Sequence, residues 1–197
     1  GESIHRRSFE SCTQTMINPN PPAGRTIYEE KRFSLRECQL ELRDNHLENR
    51  AVVLHHGSVV ILPIDNDGRV ILIENQRWQI GSRILELPAG TMERGEDPLV
   101  CASRELLEET GYQADQLDHF QSFFALPGLT TEVMHVYIAR DLKWVGQSLE
   151  ADEDILVRPM PLDDVRALVV KRQIIDAKTL AILASFLLSQ ADVEEPS

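Results

Sequence analysis

The segment from Asp97 to Gly111 constrains this chain more than any other. Asp97 is a capping acid, Pro98 a proline in the first helical position, and Gly111 a helix stop. That bracket predicts a helix of about 13 residues. Within it Glu105, Glu108 and Glu109 stand at i, i+3 and i+4, so three carboxylates project from one face within a turn. Like charges at that spacing repel, and more so when desolvated. Arg104 is the only base in the helix, able to serve one partner, and lysine is absent. A hard divalent cation, which takes oxygen ligands, is one compensation. The other reading of the same residues is a solvated acidic face with intrahelical pairing.

The acidity of the chain is local. Its 197 residues carry 20 Lys and Arg against 32 Asp and Glu, a formal charge of -12. Residues 86–111 hold seven acids and two bases, and four more acids fall in the run Glu150 to Asp154. With no broad basic surface, nucleic acid is not an expected partner. Nor is a membrane, since no apolar run approaches the roughly 18 to 20 residues needed to span one. The start, Gly1 to Arg7, lacks the apolar stretch of a signal peptide. Cys12, Cys38 and Cys101 are odd in number with no CxxC, which suits reduced thiols in a cytoplasmic protein and not a structural zinc.

Along the chain, strand and helix signals alternate, an α/β pattern. Residues 1–27 read as a poorly ordered leader, 28–50 as a small N-terminal β region, 51–190 as the main domain and 191–197 as an acidic tail. Lys31–Arg43 alternates as two strands or one bent strand, and Val52–Ile64 reads as a strand. Asp65-Asn66-Asp67-Gly68 is a turn leading into Val70–Ile73, which predicts a hairpin. Further strands are expected near Phe120–Leu126, Val133–Ala139 and Ile155–Met160. Helices are expected over Leu162–Val170 and Asp176–Leu188, the last with Leu180, Leu183, Ala184, Leu187 and Leu188 in the core.

Gly90, five residues, Glu96, seven residues, then Arg104-Glu105-Leu106-Leu107-Glu108-Glu109-Thr110-Gly111-Tyr112 resembles the complete signature of the Nudix hydrolases. In that family a loop-helix-loop binds Mg²⁺ and a nucleoside diphosphate linked to another group. The resemblance implies an α/β/α sandwich around a mixed sheet. It also implies a metal site of Glu105, Glu109, Glu108 and the carbonyl of Ala89, with Mn²⁺ a possible substitute for Mg²⁺. Arg104 would orient the glutamates, Gly90 and Gly111 would give backbone freedom, and Glu96 would have a supporting role.

Leu85-Glu86-Leu87-Pro88-Ala89-Gly90 and Pro127, in Leu126-Pro127-Gly128-Leu129-Thr130-Thr131-Glu132, are similar to segments of the ADP-ribose pyrophosphatase subgroup. That likeness implies substrate contacts at Arg50, Arg77, Glu86, Gly128 and Glu132. It implies a water-activating base within Asp152-Glu153-Asp154; Glu153 matches best, Glu150 and Asp152 compete, and a solvated loop is the other reading. A base on such a loop has to close over the substrate. The implied reaction is hydrolysis of ADP-ribose to AMP and ribose 5-phosphate. Another nucleotide sugar such as GDP-mannose, or a Nudix-fold protein that binds nucleotide without cleaving it, are the alternatives. Family likeness also implies a homodimer in which the N-terminal β region is exchanged and both chains build the site.

Overall fold

The computed structural model describes residues 17–151 and 153–191. Ten strands and three helices follow in order: β1 (Gly24–Glu29), β2 (Phe33–Glu41), β3 (Leu47–His55), β4 (Ser58–Pro63), β5 (Arg69–Arg77), β6 (Ser82–Glu86), β7 (Ala89–Thr91), α1 (Pro98–Thr110), β8 (Tyr112–Phe124), β9 (Val133–Trp144), β10 (Ile155–Pro161), α2 (Leu162–Val170) and α3 (Ala177–Ala191). They form an N-terminal sheet β1-β2-β3, a three-stranded sheet β10-β5-β6 and a four-stranded sheet β7-β4-β9-β8. In the last, β4 runs parallel to β9 and antiparallel to β7, so the sheet is mixed.

Strand β4 explains the layering. Val59 and Ile61 pack on Cys101, Ala102 and Leu106 of α1, whereas Val60 and Leu62 pack with Val165 of α2 and Ile182, Leu183 and Phe186 of α3. A strand covered on both faces must be apolar throughout, which is why β4 reads as a continuous hydrophobic run. Ile71 of β5 likewise faces the α1 side, and Val70 and Leu72 face the other. The result is the α/β/α sandwich.

Several boundaries differ from the sequence expectation. β1 begins at Gly24, inside the stretch read as leader, because Thr26 and its neighbours pair with β2 from Gly24↔Cys38 onward. Residues 1–16 and most of the acidic tail, 192–197, lie outside the described residues. Val52–Ile64 is two strands: the chain breaks at His56-Gly57, leaving β3 in the N-terminal sheet and sending β4 into the sandwich. The Asp65–Gly68 turn forms, with Asp65 Oδ1 accepting the Asp67 and Arg69 amides. Its flanks pair only at Ile64↔Val70 before β4 and β5 diverge into different sheets, so there is no extended hairpin. β8 starts at Tyr112, well before Phe120, because the polar stretch 112–118 is an edge strand fixed by its register with β9. In α3, Leu180 and Leu188 are exposed, and the core is Ile182, Leu183, Phe186 and Leu187.

Candidate active site

Helix α1 is built as its ends predict. Asp97 Oδ1 accepts the amides of Leu99 and Val100, and Gly111, at φ 75°, donates its N–H to the Leu107 carbonyl. The buried positions are Cys101, Ala102, Glu105, Leu106, Glu109 and Thr110. Two of the three glutamates therefore lie on the stripe that packs against the sheet, with Glu105 at 8% exposure and Glu109 at 3%. The acidic face is not a solvated one.

Arg104 spreads over three carboxylates instead of one. Its Nη1 donates to Glu105 Oε1 at 2.6 Å and Glu108 Oε2 at 3.0 Å, while Nε and Nη2 donate to the two oxygens of Glu96, each at 3.1 Å. This pairing, opposed by burial, holds the Glu96 carboxyl below its usual range. At Glu105 burial wins: the carboxyl is pushed up to about 7 although Arg104 pulls it down. Burial also raises Glu109 well above its ordinary value, against the hydrogen bond its Oε2 accepts from the Ala89 amide at 2.8 Å.

The backbone opposite α1 is shaped to these side chains. A Cβ at Gly90 would overlap the Glu105 carboxylate, so only glycine lets β7 approach this closely. Buried carboxylates with raised pKa and a glycine-lined approach are the environment a hard cation neutralises. Among the described residues no three acidic, histidine or cysteine side chains are yet gathered as a cage, and a cation there must compete with Arg104 for Glu105 and Glu108. The donor set of Glu105, Glu108, Glu109 and the Ala89 backbone fits a divalent cation.

These groups open into a cavity of about 600 Å³ that also collects Arg77, Glu132 and Glu153. The loop carrying Glu153 is pinned at both ends. The Ser148 amide and the Gln147 side-chain amide donate to the Glu108 and Glu109 carbonyls, and the Gln76 amide donates to the Asp154 carbonyl. Glu153 Oε2 accepts the Glu150 amide at 2.8 Å, and Glu150 lines the cavity too. Asp152 lies outside the described residues. Glu132 accepts the Ser58 hydroxyl, with His55 Nδ1 at 3.9 Å.

Three of the residues named from sequence do not line this cavity. Arg50 points from β3 to solvent and pairs with Glu48 at 2.6 Å. Gly128 sits in the exposed turn closed by the Leu129 amide and the Leu126 carbonyl. Glu86 is fully buried beneath Arg77: its oxygens take Arg77 Nε at 2.8 Å and Nη2 at 2.6 Å. Sequence reasoning missed Lys178, which bonds Glu86 Oε2 at 2.6 Å and Asp176 Oδ2 at 2.9 Å and lines the cavity. A lysine in the first turn of α3, against the helix dipole, was the available signal. It also passed over Trp78, which stands exposed at the cavity mouth, and Lys31 and Arg32 on the β1–β2 turn.

Known proteins match this architecture. The profile of the NUDIX domain covers residues 54–181. An ADP-ribose pyrophosphatase of Bacillus subtilis is 36% identical over 174 residues, 85% of this chain and 94% of that protein. A methanol dehydrogenase activator of Bacillus methanolicus is 35% identical with the same coverage. A solved structure described as an ADP compounds hydrolase matches at a TM-score of 0.72 over 90% of this chain and 98% of that one, at 22% identity, a likeness of fold. With a profile that begins in β3, runs through the glutamate helix and ends in α3, the chain belongs to the NUDIX family.

Proposed function

We propose that the chain hydrolyses the pyrophosphate bond of ADP-ribose, releasing AMP and ribose 5-phosphate, with Mg²⁺ or Mn²⁺ held by Glu105, Glu108, Glu109 and the Ala89 carbonyl. The observation that carries this is one cavity uniting the buried glutamates of α1 with Arg77 and Glu153. The similarity to proteins named ADP-ribose pyrophosphatase supports the substrate. When bound, a divalent cation screens the charge of the phosphates and makes water a better nucleophile. Glu153 takes the proton of the attacking water, with Glu150 beside it on the same loop. Arg77 offers its donors to a phosphate or its flat face to the base. Arg104 holds Glu105 and Glu108 in register, and Glu132 lines the substrate side of the cavity.

The exposed apolar side chains Ile27, Tyr28 and Leu47 support an N-terminal sheet that covers itself on a second copy, giving a homodimer. Cys38 and Cys101 are free and buried, which supports a reducing, cytoplasmic setting. Among the described residues no helix is long and apolar enough to cross a membrane.

Glu109→Gln tests the reading. The amide keeps the shape and removes a charge that burial disfavours, so the fold should persist while turnover drops about a hundredfold or more. Retained Mg²⁺-dependent turnover in that variant overturns the metal site. Competition among ADP-ribose, GDP-mannose and diadenosine polyphosphates tests the substrate, and no AMP after prolonged incubation with Mg²⁺ or Mn²⁺ would point to binding without cleavage.

A further inference from the structure

Resting on the reading that Arg77 touches the nucleotide, we propose that Lys178, acting through Glu86, is a positioning residue that holds Arg77 in its substrate-binding pose. Glu86 ends β6 with no exposed surface. A lone carboxylate there is strongly disfavoured, so its partners decide where it stands. Arg77 grips it fork to fork through Nε and Nη2, which fixes the plane of the guanidinium. Nη1 has no partner among the described residues, and Arg77 lines the cavity.

One contact keeps that fork from turning as a unit. Lys178 Nζ meets Glu86 Oε2 at 2.6 Å, on the oxygen that also takes Arg77 Nη2. Lys178 is itself held by Asp176 Oδ2 at 2.9 Å. Asp176 also accepts the Thr179 amide at 3.0 Å, and Thr179 Oγ1 accepts the Leu87 amide at 2.8 Å. The first turn of α3 is thus bonded twice to the end of β6, and Asp176, Lys178, Glu86 and Arg77 form one line from that helix into the cavity. Two cations and two carboxylates cancel along it, which lets Lys178 sit against the helix dipole. An ammonium has three donors and two are spent here, so the lysine acts as a fixed bracket instead of a mobile charge.

The test uses the full metal-loaded chain with ADP-ribose, comparing Lys178→Met, Lys178→Arg, Arg77→Ala and the Arg77→Ala/Lys178→Met double variant. Lys178→Met should raise KM about tenfold with kcat within about twofold, because it loosens ground-state contact and leaves the reacting groups in place. Lys178→Arg should restore KM to within about threefold. In the Arg77→Ala background the same substitution should add less than about twofold, since a residue acting through Arg77 has nothing left to position. If Lys178→Met melts below the assay temperature, Lys178→Gln, whose neutral amide keeps only a weaker hydrogen bond to Glu86, takes its place in the cycle, with a smaller rise in KM that again appears only when Arg77 is present. An unchanged KM in the lysine variants, or an equal loss with and without Arg77, overturns the positioning role while leaving Arg77 as a substrate contact. A wild-type KM in Arg77→Ala sinks the contact itself, and the positioning role with it.

Discussion

At Glu105 burial and charge pairing oppose each other, and burial prevails. With its carboxyl at about 7 against an ordinary 4.5, and Glu109 displaced the same way, the folded protein keeps protons that the unfolded chain has already lost. A raised carboxyl favours the folded state fully below its unfolded value, and that contribution is lost as pH rises toward about 7. A divalent cation competes with the same protons, so its stabilising effect should grow over the same window. Thermal melts near pH 5.5 and 8 should show a larger Mg²⁺-induced rise in midpoint at the higher pH; equal rises would count against these ligands. His55 and His135, both lowered by burial, act in the opposite sense. The difference between wild type and Glu105→Gln in metal-free buffer isolates the carboxyl, and the wild type should lose more midpoint between the two pH values. The spacing of these glutamates was plain in the sequence. Their burial was not, because it depends on which face of α1 the sheet covers.

Among the elements, α1 was the most legible, because its start and stop are local chemistry: a side chain accepting two amides, and a left-handed residue that only glycine adopts without strain. Gly111→Ala should cost about 1–3 kcal/mol, since φ is 75° and the new Cβ would crowd the Gln147 amide. Chemical denaturation measures it, and a loss under about half a kcal/mol would show that the cap relaxes. Gly90→Ala should leave the core intact and abolish turnover, because its Cβ displaces the Glu105 carboxylate. β8 and the division between β3 and β4 were not legible. An edge strand such as 112–118 is polar and ordered by its partner β9, and Gly57, at φ 101°, marks a bend after His56 without saying that the chain changes sheets there. Only the pairing of β4 with β9 requires it.

For the whole molecule, the question is where Arg50 belongs. It stands outside the cavity of its own chain on a sheet whose first strand is exposed throughout. If the sheet is shared in a dimer, Arg50→Ala and Glu109→Gln are each inactive, but their mixture regains about a quarter of wild-type turnover, since half the dimers are hybrids with one intact site. Light scattering should report two copies, and a monomeric particle or an inactive mixture would sink the shared site. By itself the sequence determined the ends of α1, the three-glutamate face and the α/β alternation, because caps and periodicity are written in short stretches of residues. Only the tertiary structure decided that Glu105 and Glu109 are buried, that Glu86 braces Arg77, and that Lys178 reaches the site from a helix 92 residues further on. Those facts depend on which surfaces meet when β6, α1 and α3 close around one cavity, and no local stretch of chain carries that information.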